Sequence, residues 1–158
     1  MPISKVIHAI GTFGELPWLS SIETSTTELP MFQALSKYSP LALGVFRIVV
    51  ALLFLEHGSQ KLFNFPPSTM PAQPGMETLE LITGILEFLG GLLILVGFLT
   101  RPVSFVLCGM MAVAYFMVHA QKGFFPANNM GDAAILFCFV FFYLFFAGPG
   151  AWSVDNRS

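Results

Sequence analysis

The sequence predicts an all-α integral membrane protein, an antiparallel four-helix transmembrane bundle. Hydrophobic residues make up 55% of the 158-residue chain and charged residues only 10%, where soluble domains carry about a quarter. Mean hydropathy is +0.75. Four long apolar segments follow a polar, turn-rich beginning, and proline or glycine punctuates the breaks between them. Inside lipid, backbone polar groups have to be satisfied within the chain, which leaves helices as the structure of such segments.

Residues 1–40 read as a separate extension, interfacial or partly disordered. "IETSTTELP" is polar and turn-rich, and "VIHAIGTFGELPWL" offers Phe13 and Trp18 to an interface, with His8 as an ordinary surface histidine. "PMFQALSKYSP", bounded by Pro30 and Pro40, suits a short helix near 31–37. The first 20 residues lack the continuous apolar centre of a cleavable signal, so insertion is expected to rely on the internal segments.

The membrane domain is expected over 41–152, with a tail at 153–158. The first span runs near 41–63, and Pro66, Pro67, Pro71 and Pro74 then mark a loop, because proline cannot continue the helical hydrogen bonds. The second runs near 77–99 and stops at Thr100-Arg101-Pro102. The third, near 102–120, stops before "QKGFFPANNMG", and the fourth, near 132–147, at Gly148-Pro149-Gly150. Short connections make neighbouring spans antiparallel. Lys5, Lys37, Arg101 and Arg157 fall on one side, and Lys61 and Lys122 on the other. The positive-inside rule therefore puts both termini in the cytoplasm, the chain being multi-pass in the cell inner membrane.

The stretch "FRIVVALLFLEHGSQKLFNF" carries Arg47, Glu56, His57 and Lys61 within apolar surroundings. An unpaired charge at mid-bilayer costs about 3 kcal/mol on insertion scales, so such residues need partners and mark sites. At about 100° per residue, Arg47, His57 and Lys61 share a face within about 80°, and Glu56 points elsewhere. Glu80 and Glu87, seven apart, share a face of the second span with Gly84 and Gly91, and small residues there admit a neighbouring helix. The expected network pairs Arg47 with Glu87, and Glu80 with His57 and Lys61. His119 and Asp132 end and begin spans on the same side as His57. Asp132 suits the positive end of a helix dipole, or with His119 joins the cluster. The spacing matches no metal signature. Tyr115, Tyr143, Met110, Met111 and Met117 are candidate pocket linings or plain packing. Cys108 and Cys138 read as packed apolar residues, expected at opposite depths because each lies early in its span. No basic block points to nucleic acid.

"FRIVVALLFLEHGSQKL", "GILEFLGGLLILVGFLTRP", "GMMAVAYFMVHAQKGFFP" and "AGPGAWSVD" together resemble the DoxX family of small bacterial membrane proteins, over about 43–155. By similarity, Arg47, His57, Gly58, Lys61, Glu87, Gly90, Gly91, Arg101 and the Gly148-Pro149-Gly150 turn match the family pattern, with Asp132 where a Glu is expected. The extension at 1–40 lies outside that pattern. The resemblance implies a four-helix membrane bundle and a link to quinone-coupled or thiol and sulfur redox complexes. No haem, flavin or iron–sulfur signature is present, so electrons call for a quinone or the cofactor of a soluble or membrane redox partner. The leading expectation is a subunit of an oxidoreductase in which Arg47, His57, Lys61, Glu80, Glu87, His119 and Asp132 bind quinone or substrate, or handle protons. The alternatives are a small-solute transporter, which with four helices calls for a homo-oligomer, and a non-catalytic anchor for a soluble enzyme.

Overall fold

The computed structural model describes residues 34–68 and 75–157. Residues 34–38 belong to a unit separate from the one beginning at Ser39. They hold one helical turn at 34–36, with the Lys37 ammonium 5.0 Å from the centre of the Tyr38 ring. The expectations for residues 1–33 lie outside the described residues.

From Ser39 on, every described element is helical. They are α1 (Ser39–Phe63), α2 (Glu77–Val96), α3 (Thr100–Ala114), a short α4 (Pro126–Asn129) and α5 (Asp132–Ala147). Helix α3 continues through a π-helical turn at Tyr115–His119 and a 3₁₀ turn at Ala120–Lys122. Three helical runs, Ser39–Phe63, Glu77–Val96 and Thr100–Lys122, are long and apolar enough to cross a membrane. Helix α5 is equally apolar but has 16 residues. That is about 24 Å at 1.5 Å per residue, short of a hydrocarbon core about 30 Å thick.

The helices associate as two antiparallel pairs, α1 with α2 and α3 with α5, joined by contacts of α2 with α3. Glycine sets the first pair. A Cβ on Gly58 would lie 2.5 Å from the Phe88 amide nitrogen, so α1 and α2 touch backbone to backbone there. Gly84 and Gly91 meet Lys61, Leu62 and Leu55 of α1, as their shared face leads one to expect, and Gly90 receives Leu107 of α3. Phe54, Ile94, Leu107, Phe141 and Leu144 fill the centre, each no more than 1% exposed. Large apolar residues such as Leu52, Leu89, Phe105, Phe139 and Phe146 point outward. An apolar exterior of this extent suits lipid rather than water.

Helix α2 ends at Val96, three residues before the expected 99. Gly97 adopts the left-handed conformation (φ 67°, ψ 46°), and its amide and that of Phe98 donate to the Ile94 and Leu93 carbonyls. Only glycine takes this conformation without a Cβ penalty, and it is a common helix stop.

A polar knot closes the same end of the fold. Arg47, expected to pair with Glu87, is fully buried and does not meet it. Its Nη1 donates to the Ile94 and Leu95 carbonyls, Nε to Pro149 O at 2.7 Å, and Nη2 to the Ala151 and Trp152 carbonyls at 3.1 and 2.9 Å. The last carbonyls of α2 lack intrahelical partners and sit at the negative end of the helix dipole, so a guanidinium is well placed there. Register accounts for the difference. With Gly58 on Phe88 and Gly91 on Leu55, Arg47 falls level with the turn after Val96, far along α2 from Glu87.

Two further caps complete this end. Arg101 Nη1 donates to the Phe145 and Phe146 carbonyls in the last turn of α5, at 2.9 and 2.8 Å. Asp155 accepts from the Leu99 and Thr100 amides at 2.8 and 2.9 Å, capping the start of α3. Burial alone would raise the Asp155 carboxyl, but these hydrogen bonds and the charge of Arg47 outweigh it and hold it below its usual range.

Candidate functional site

At the opposite end, where α1 and α3 finish and α2 and α5 begin, the two pairs enclose a cleft of about 540 Å³. That falls within the size range of small-molecule sites. Its walls are mainly apolar, with Phe54, Met110, Met111, Met117 and Phe137 among them. Met110, Met111 and Met117 therefore line a pocket, whereas Tyr115 and Tyr143 do not. The π-helical turn brings Met117, Val118 and His119 to the wall. Such turns recur at functional sites because they shift side chains out of α-helical register. Nothing in the sequence pattern marks this one.

Five of the seven predicted site residues line this cleft: His57, Lys61, Glu80, Glu87 and His119. Their pairing differs from expectation. Lys61 Nζ lies 2.6 Å from Glu87 Oε1 and donates to Thr83 Oγ1 at 3.2 Å. Thr83 in turn donates to the Leu79 carbonyl at 2.8 Å. The α1–α2 register places Lys61 level with Ile85, about half a turn from Glu87, whereas Glu80 stays at the exposed rim, away from Lys61. Asp132 lies in the first turn of α5, exposed and not among the residues lining the cleft. Glu56 is exposed and faces away.

The ion pair is lopsided. The Lys61 side chain is 32% exposed and that of Glu87 only 7%. Glu87 Oε1 takes the ammonium, whereas Oε2 is buried and has no donor among the described residues. A buried carboxylate oxygen without a hydrogen bond is costly, so this atom marks a place for a donor.

The two histidines differ. The His57 ring meets Phe137 edge-on, with centroids 6.0 Å apart. His119 Nδ1 lies 3.1 Å from the Asn129 carbonyl. A carbonyl only accepts, so Nδ1 carries the proton and Nε2 of the neutral ring is an acceptor. Asn129, which sequence reasoning missed, is 1% exposed. Its side chain donates to Gly123 O and accepts from the Gly131 amide, both at 2.8 Å, which fixes the loop holding His119. Among the described residues, no three His, Cys, Asp or Glu converge as a metal site.

A model of the DoxX family matches residues 42–120, half of the chain. The chain belongs to the DoxX family. Every polar residue of the cleft named above lies inside that match, and Asp132, Cys138 and Asp155 lie beyond it. An uncharacterized protein of Haemophilus influenzae is 40% identical over 127 residues, 78% of this chain and 95% of its own. An inner membrane protein of Escherichia coli is 30% identical over 126 residues, covering 77% and 95%. An uncharacterized membrane protein of Mycobacterium tuberculosis is 28% identical over 129 residues, covering 70% and 77%. No solved structure matches. The DoxX chain is accordingly a multi-pass membrane protein in contact with the lipid bilayer.

Proposed function

We propose that this DoxX protein is the membrane subunit of a redox complex and that its cleft binds a lipid-soluble quinone. The observation that carries the reading is Glu87, whose buried Oε2 lacks a donor among the described residues while Oε1 holds Lys61, inside walls of Met, Phe and aliphatic side chains. A quinone head presents carbonyl oxygens that accept from Lys61, and its reduced form presents hydroxyls that donate to Glu87 Oε2. The apolar ring and tail suit the methionines, whose flexible thioethers adapt to planar ligands. Glu80 at the rim and His119 Nε2 offer places for protons to enter or leave. Electrons would come from a cofactor on a soluble or membrane partner. In this reading α1, α2, α3 and α5 lie within the inner membrane, with both termini cytoplasmic.

The packed layer of Phe54, Ile94, Leu107, Phe141 and Leu144 below the cleft favours a binding site over a solute path through the fold. Photolabelling tests the reading. An azido-quinone is irradiated with the protein in lipid nanodiscs and the labelled peptides are mapped. Labelling is expected at Met110–Met117 and around Phe137, weakened about tenfold by Lys61→Met, the loss of one hydrogen bond from a charged group. Label spread evenly over outward residues such as Phe105 and Phe139, and indifferent to Lys61→Met, would refute it.

A further inference from the structure

Cys108 of α3 and Cys138 of α5 bring their sulfurs to 3.7 Å, both partly buried and both free thiols. The sequence expectation of opposite depths fails because the two helices differ in length. Cys108 lies eight residues beyond Thr100 and Cys138 nine before Ala147. Those offsets are about 12 and 13.5 Å from the same end of the fold at 1.5 Å per residue, so the two are level. Register is held on that side of the cysteines by Arg101 on the α5 carbonyls and by Phe105 against Phe145, with ring centroids 5.6 Å apart.

We propose that Cys108 and Cys138 form a dithiol–disulfide couple that latches α3 to α5 within the apolar part of the fold, with a quinone as electron acceptor. This rests on the redox reading of the cleft, whose wall includes Phe137, next to Cys138, and Met110, two residues from Cys108. Two S–H bonds break and one S–S bond forms. The electron pair and both protons pass to the quinone, which becomes the quinol, so atoms and charge balance without a further reagent. The reaction runs through a thiolate, and neither cysteine is among the residues lining the cleft. The couple is therefore a slow latch rather than a turnover centre. Once formed, the bond lies away from water-borne reductants and fixes two walls of the cleft against each other.

The two cysteines are the chain's only thiols, which makes the test direct. Reduced protein in nanodiscs is treated in one arm with diamide, a membrane-permeant thiol oxidant, and in the other with a decyl-chain benzoquinone. It is then denatured and alkylated with a maleimide–polyethylene glycol. Both arms are expected to yield a monomer with no free thiol and a mass lower by two hydrogens, reversed by dithiothreitol. Cys108→Ser is expected to keep one reactive thiol in both arms. Two free thiols after diamide, or a bond between separate chains, overturns the couple. A disulfide with diamide and none with the quinone overturns the quinone as acceptor, and photolabelling then tells whether quinone binding fails as well.

Discussion

Arg47→Met separates a structural clasp from a ligand site. The guanidinium gives five hydrogen bonds to carbonyls of two segments, the end of α2 and the loop from Pro149 to Trp152. At about 1.5 kcal/mol each, the low end for a charged donor, these amount to roughly 7 kcal/mol. Methionine removes the charge and recovers about 3 kcal/mol of the cost of holding arginine at depth. The net loss is about 4 kcal/mol: the Leu95 carbonyl loses the guanidinium, and the Ile94 carbonyl keeps only the Gly97 amide. For a chain of this size 1 kcal/mol shifts Tm by about 2–4 °C, so Tm should fall on the order of 10 °C. The assay is thermal unfolding in nanodiscs, followed by size-exclusion recovery, with azido-quinone labelling of the surviving folded protein. Arg47→Lys, which keeps the charge but has three donors, should fall between wild type and Arg47→Met. Unchanged Tm with loss of quinone labelling would refute the assignment and return Arg47 to the ligand site.

The ion pair at the cleft invites a double-mutant cycle. Lys61→Met leaves Glu87 buried and unpaired and should cost about 3 kcal/mol or more in unfolding titrations, whereas Lys61→Met with Glu87→Gln should recover most of that stability. Equal losses in the single and double variants would show that the pair is not coupled. Asp155→Asn weakens the cap on α3 and should cost about 1 kcal/mol near neutral pH. Because the Asp155 carboxyl sits below its usual range, its contribution is present above the ordinary aspartate value of about 3.9 and is lost as pH falls through the lower folded value. Tm profiles of wild type and Asp155→Asn should therefore converge in acid, and a gap that widens on acidification would contradict this.

Much of the cleft was legible because its residues break a rule of the surrounding sequence. His57, Lys61, Glu80 and Glu87 interrupt apolar runs, and hydrocarbon makes such interruptions costly enough to be informative. Thr83 and Asn129 were not legible. Threonine in a helix and asparagine in a loop are unremarkable by type, and their importance comes from the groups set beside them. The C-terminal segment escaped in the same way. Asp155 looked like part of a tail until it was found on the start of α3.

By itself the sequence determined the helical class, the apolar segments, the glycine faces and the charged residues that mark one end, because each follows from local composition and periodicity. Only the tertiary structure decided which charges meet. The backbone contact at Gly58 sets Lys61 against Glu87, and Gly97, ending α2 three residues before the expected limit, about 4.5 Å along its axis, leaves carbonyls there for Arg47. The 16 residues of α5 bring Cys138 level with Cys108 in the same way. Pairing between helices depends on offsets of a few ångströms between elements distant in sequence, and periodicity within one helix carries no record of them.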